Sequence, residues 1–117
     1  MMIAITSDGK SSSSKVSEVF GRCHYFIIFE VEKGKAVQVR CIENLFSEQQ
    51  GHTGITVAQS IVEKGVNAVV TGNIGPRALD VLKQFNVEVY AEDGIVKEVL
   101  QKFVEGKLEK LHVREQT

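Results

Sequence analysis

The sequence predicts an α/β sandwich around a mixed sheet of about five strands with about three helices, and three observations carry that reading. A unit of helix, cap and strand occurs twice in succession, at 55–71 and 76–90, and such units join parallel strands through right-handed crossovers. A hairpin of two β-rich stretches precedes them, which supplies an antiparallel pair. Met2 to Thr6 is short and continuously apolar until Ser7-Asp8-Gly9 stops it, the pattern of a buried first strand feeding a turn.

The elements follow in order. After the first strand, Lys10-Ser11-Ser12-Ser13-Ser14-Lys15 is small and polar, a surface loop with phosphate binding as the sharper alternative. Tyr25 to Val31 and Lys35 to Ile42 flank the turn Glu32-Lys33-Gly34. In the second of these, Val37, Val39 and Cys41 alternate with Gln38 and Arg40, which predicts a buried face carrying Cys41. Asn44 to Gly54 reads as a loop. The helix beyond it places Ile55, Ala58, Ile61 and Val62 on one face, Gly65 caps it, and Val66 to Thr71 is the next strand.

Pro76 suits the first position of a second helix, with Ala78, Val81, Leu82 and Phe85 inward and Asn86 as the cap before a strand at Val87 to Tyr90. A last helix from about Ile95 to Glu105 carries the stripe Val96, Val99, Leu100, Phe103 and Val104, and Gly106 ends it. One domain is expected over 1–117, with an ordered core at about 2–106 and a charged, partly ordered tail at 107–117.

Composition narrows the function classes. With 14 basic and 15 acidic residues in 117, the net charge is −1, so no global field draws nucleic acid or anionic membrane to the chain. The two cysteines, Cys23 and Cys41, are too few for a disulfide framework. A two-residue turn at Lys33-Gly34 sets Cys41 opposite Phe26, which leaves Cys23 roughly 10 Å along the strand, beyond the roughly 7 Å Cα limit for pairing. Reduced thiols, no signal-peptide pattern at the amino terminus and no bilayer-length apolar run together predict a cytoplasmic protein.

Residue types that carry chemistry are scarce and sit where strands begin or end. Cys23, His24 and His52 suit a soft or borderline metal, but their spacing is not that of a closed zinc site. Neighbours in an extended strand point to opposite faces, so Cys23 and His24 cannot both ligate one centre unless the backbone bulges. Gly51-His52-Thr53-Gly54 leads into a helix amino terminus, which favours an anion. Gly72-Asn73-Ile74-Gly75-Pro76 joins a strand carboxyl end to a helix; it is either a tight turn or a binding crevice. Arg22 follows Gly21 before a strand, and Arg77 lies in the first turn of a helix, against its dipole, a misfit that a bound anion would relieve. Nucleophilic catalysis fits poorly, since Cys23 and His24 diverge and lack a third orienting group.

Taken together, Ile3-Ala4-Ile5, Ser17-Glu18-x-Phe20-Gly21-Arg22, Gly51-His52, Gly65-Val66-Asn67-Ala68-Val69-Val70, Gly72-x-Ile74-Gly75-Pro76-x-Ala78 and Val87-Glu88-Val89-Tyr90 resemble the dinitrogenase iron-molybdenum cofactor biosynthesis family, with its NifX-type and NafY-type carriers and the carboxyl-terminal domain of NifB. The resemblance runs from Met2 to about Gly106. It implies a ribonuclease H-like three-layer architecture and a carrier, not an enzyme, for an iron-sulfur or iron-molybdenum cluster, with a partner protein in cofactor assembly and no nucleic-acid or membrane partner. Family members commonly carry His immediately before Phe-Gly-Arg, where this chain has Val19. The expected site is therefore Cys23, His24 and His52 as candidate metal ligands, with Gly21, Arg22, Gly72, Asn73, Gly75 and Arg77 offsetting the charge of the guest. The alternative is a metal-free interaction or small-anion-binding module with the same fold.

Overall fold

The computed structural model describes residues 1–46 and 53–111. Among the described residues, five strands form one mixed sheet: β1 (Met2–Ser7), β2 (Tyr25–Glu32), β3 (Lys35–Glu43), β4 (Ala68–Thr71) and β5 (Glu88–Ala91), in the spatial order β3-β2-β1-β4-β5. The β1–β2 and β2–β3 pairs are antiparallel, whereas β1–β4 and β4–β5 are parallel. Three α-helices among the described residues, α1 (Thr53–Val62), α2 (Pro76–Gln84) and α3 (Val96–Val104), complete the three layers.

Strand alternation sorts the core onto two sides. Ala4, Phe26, Ile28, Val69 and Val89 face Val57, Ala58 and Ile61 of α1 and Ala78 and Leu82 of α2. Ile3, Ile5, Ile27, Phe29 and Val70 face Val96 and Val99 of α3. The buried hydroxyls of Thr6 and Thr71 satisfy each other at 2.9 Å across β1 and β4. Gly65 (φ 76°) and Asn86 (φ 61°) end the helical segments in the left-handed conformation expected of helix caps.

The hairpin turns through Lys33 (φ 50°) and Gly34 (φ 77°), and Glu32 pairs with Lys35. A bulge then shifts the register: Phe29 pairs with Gln38 and Ile28 with Arg40, so Val39 is the extra residue and Cys41 faces Ile27, not Phe26. Cys41 is exposed, against the expectation of a core position. The cause is that β3 is the sheet edge and its middle lies outside the helical layers, with Val37 63% and Val39 47% exposed. The bulge also blunts this edge against pairing with another strand.

Two further expectations need correction. Phe85 is 58% exposed because α2 ends at Gln84 and Phe85 turns off its inner face as the C-cap. Thr53 and Gly54, read as the end of a loop, belong to α1, and residues 47–52 of that expected loop lie outside the described residues. The serine run supplies backbone acceptors to α3: Val96 N–H donates to Ser14 O and Lys97 N–H to Ser12 O, each at 2.9 Å. Those helix-end donors are thereby satisfied within the chain. At the other edge, Leu111 N–H donates to Val89 O at 2.7 Å and Lys110 bridges Tyr90, so the first part of the tail covers β5.

Candidate functional site

The site is built on the extended segment that crosses the carboxyl ends of β1 and β4. Val16 bridges Ser7 and Val19 bridges Asn73. Ser17 N–H donates to Thr6 O at 3.1 Å, Gly72 N–H to Ser17 O at 3.0 Å and Phe20 N–H to Asn73 O at 2.9 Å. A short 3-10 turn, Phe20–Arg22, follows and delivers the chain to β2. Phe20 is buried and stacks edge-on against Phe26 with ring centroids 5.7 Å apart, which fixes the turn against the core. Along 21–24 the side chains then alternate: Gly21 and Cys23 are buried, Arg22 and His24 exposed.

A basic cavity of about 360 Å³ opens between this turn and the amino termini of α1 and α2, lined by Val19, Phe20, Gly21, Arg22, Gly54, Ile55, Gly75, Pro76, Arg77 and Ala78. No carboxylate is among these residues, and neither α1 nor α2 has an acidic residue in its first turn. Gly75 is the N-cap of α2 and offers no side-chain cap, so the first-turn N–H groups of that helix keep their positive partial charge toward the cavity. The ion pairs among the described residues, Met1–Glu30, Lys102–Glu92, Lys107–Glu105 and Lys110–Glu88, involve neither Arg22 nor Arg77. Two guanidiniums without an ion-pair partner among the described residues and two helix amino termini are groups whose chemistry favours an anion.

The glycines of the β4–α2 loop divide by cause. A Cβ on Gly72 would lie 2.8 Å from Ser17 O and 2.9 Å from Glu18 Cα, so packing alone demands glycine there. A Cβ on Gly75 would meet nothing within 4 Å, and its φ of −72° suits any residue. Neither packing nor backbone conformation calls for glycine at Gly75, and its open side adjoins the basic cavity.

A second cavity of about 570 Å³ lies on the other side of Val19 and Arg22, lined by Asp8, Lys15, Val16, Ser17, Glu18, Val19, Arg22, His24, Asp93 and Gly94. Its charge is mixed. Asp8 accepts a hydrogen bond from Ser17 Oγ at 2.8 Å, which ties it to the crossing segment. Val19, 45% exposed, stands in the wall shared by both cavities.

Of the candidate metal ligands within the described residues, Cys23 and His24 do not converge. Cys23 is completely buried, and burial in the apolar cluster pushes its thiol up to about 12 despite the Asn44 amide beside it. Its sulfur is turned into the core, and Cys23 lines neither of the two cavities. His24 lines the mixed cavity, and His52 lies outside the described residues. Among the described residues no three His, Cys, Asp or Glu side chains come together as a metal site. The residues thus fit a guest recognised by its negative charge and do not form a closed coordination shell.

Of the residues singled out from the sequence, Gly21, Arg22, Gly75 and Arg77 line the basic cavity, whereas Gly72 and Asn73 brace the crossing segment behind it. Sequence reasoning pointed to the amino terminus of α1 as favouring an anion, and that terminus does form a wall of the basic cavity, but it did not single out Asp8, Asp93, Lys15 and Glu18 as lining one cavity. Nothing local marks them, because the fold alone brings the ends of β1 and β5 to one cavity. Asn44, whose side chain holds the turn carrying Arg22, was missed as well. Its one signal is an Asn just beyond a strand, a common turn position.

A family model described as "Dinitrogenase iron-molybdenum cofactor" matches residues 1–106. An uncharacterized protein of Methanocaldococcus jannaschii is 40% identical over 111 residues, covering 94% of this chain and 91% of its own length. Among solved structures, an NMR structure of a Thermotoga protein with a provisional NifB assignment superposes with a TM-score of 0.77 at 40% identity, covering 98% of both chains. The apo form of the orange protein from Desulfovibrio gigas superposes with a TM-score of 0.84 at 25% identity, over 98% of this chain and 96% of that one.

Proposed function

Because the chain belongs to the dinitrogenase iron-molybdenum cofactor family, we propose that it is a non-catalytic carrier for an anionic iron-sulfur or iron-molybdenum cluster, or for a precursor of one. Membership ties the chain to biosynthesis or binding of the cofactor; the carrier role is the step beyond. One observation carries it: Arg22 and Arg77 line a cavity at two helix amino termini, with no carboxylate among the described residues of its walls and an uncapped Gly75 beside them. Such a site holds a preassembled anionic guest by charge and N–H donation and can release it whole.

Coordination is secondary in this reading. Cys23 is turned into the core and Val19 has no donor atom, so His24 or His52 supplies at most one bond to the metal. Two free thiols, and no helix long and apolar enough to cross a membrane among the described residues, accord with a cytoplasmic role. The whole chain is taken as one domain, with a partner in cofactor assembly as the receiver of the guest. The absence of converging metal ligands among the described residues favours one alternative, a small-anion or interaction module that carries no metal.

Anaerobic purification followed by iron, molybdenum and sulfide analysis, repeated after incubation with an assembled iron-sulfur cluster, decides between them. Bound metal with a visible charge-transfer band supports the carrier. Persistent absence of metal from folded protein overturns it in favour of the metal-free module.

A further inference from the structure

Asn44 stands just after β3, 6% exposed, and both of its donor groups, the side-chain amide and the backbone N–H, reach the 21–24 turn. Its amide Nδ2 donates to Cys23 O at 2.8 Å and Gly21 O at 3.3 Å, one hydrogen for each carbonyl, and lies 3.7 Å from Cys23 Sγ. Its backbone N–H donates to His24 O at 2.9 Å, and its Oδ1 accepts from Phe46 N–H at 3.1 Å. Gly21 and Cys23 are the inward residues of the 21–24 segment, and Arg22 and His24 the outward ones that line the two cavities.

We propose that Asn44 is a positioning residue for guest binding: by fixing the inward carbonyls on both sides of Arg22, it holds the guanidinium toward the basic cavity. The proposal rests on the anionic-guest reading above for its functional part. Its geometric part stands apart, because the bonds to Gly21 and Cys23 are there whatever the cavity holds. A buried amide serving two carbonyls that flank one outward side chain restricts the backbone torsions that aim that side chain. Loss of the amide leaves those carbonyls unpaired and the turn free to rotate.

Two measurements test it on the full chain. Amide hydrogen exchange in Asn44→Ala should accelerate about tenfold or more at residues 21–24 while β4 and α3 keep their protection. Unchanged exchange in the turn, or an equal rise everywhere, overturns the proposal. The second is a double-mutant cycle read by retention of an iron-sulfur cluster assembled anaerobically from ferrous iron and sulfide. Asn44→Ala should lower retention about tenfold in the native background and less than about twofold where Arg22→Gln is already present. An equal fall in both backgrounds means that Asn44 acts on the fold in general and not through Arg22, and overturns it. If Asn44→Ala does not fold, Asn44→Ser, which keeps one donor, takes its place in both measurements with intermediate effects expected. If the native chain retains no cluster at all, the carrier reading fails, and the exchange measurement alone then judges Asn44.

Discussion

The N–H of Gly72 donates to the carbonyl oxygen of Ser17 at 3.0 Å, and a Cβ on Gly72 would stand 2.8 Å from that same oxygen. One contact thus explains the glycine and fixes the crossing segment on which Val19 and Arg22 are mounted. Gly75, three residues on, has neither a clash nor a strained torsion to explain it.

Substitution should separate the two glycines. Gly72→Ala should destabilise by about 2–4 kcal/mol, because the obstacle is backbone and cannot swing aside. Gly75→Ser supplies the missing cap to α2 and should change stability by less than about 1 kcal/mol, in the stabilising direction. It should nevertheless weaken guest retention, since the hydroxyl takes a helix-end N–H that the guest would use. Denaturant unfolding alongside cluster retention checks both halves; a Gly75→Ser variant that retains the guest fully would remove Gly75 from the site.

The thiols should react with Cys41 first. Cys41 is exposed and Cys23 fully buried, so native protein should titrate one thiol quickly and the second only on unfolding. Cys41→Ser should shift stability by less than about 0.5 kcal/mol, whereas Cys23→Ser should cost about 1–3 kcal/mol through a hydroxyl placed in the apolar cluster. Thiol titration with and without denaturant reads the first claim and thermal melts the second.

Cys23 also sets an alkaline limit. Its thiol is raised by burial from 9.0 to about 12, so the folded state holds the proton more tightly than the unfolded one. The resulting contribution is complete below about pH 9 and is lost as pH rises from there toward 12. Cys23→Ala should flatten this part of the stability profile, measured by denaturant midpoints from pH 8 to 11. An unchanged alkaline slope would mean that another group causes it.

Val19→His places an imidazole in the wall common to both cavities at a position already 45% exposed, so the fold should tolerate it within about 0.5 kcal/mol. If the guest is a metal cluster, retention should rise about tenfold through one added coordination bond. No gain with the fold intact would favour the metal-free module.

The parts of this fold legible in the sequence were those decided locally. Gly65 and Asn86 marked helix ends, Lys33-Gly34 the turn, and Pro76 the start of α2. Cys41 and Phe85 were misplaced because pattern predicts which residues could be buried, while burial also needs a neighbouring layer. The edge position of β3 and the bulge at Val39 deny it to Cys41, and the early end of α2 denies it to Phe85. At the site, Arg22, Gly75 and Arg77 stood out as local misfits or glycines at element ends. Asn44 did not, because its role exists only once segments distant in sequence have packed.

Arg77 offers the most direct measurement of the central claim, because the carrier reading and helix stability pull it in opposite directions. Arg77→Glu puts an anion at the positive end of α2 and should stabilise the protein by about 0.3–1 kcal/mol, and Arg22→Glu should leave stability nearly unchanged. Cluster retention should fall roughly 10-fold for each and further for the pair, as expected when a charge-assisted contact of about 1.5–3 kcal/mol is lost. Retention in the native chain should also weaken as salt is raised. Iron and sulfide bound per protein, measured anaerobically across the native chain, the single variants and the double variant, gives the answer. Falling retention with intact or raised stability is the predicted result, and equal retention in all four proteins would contradict the account.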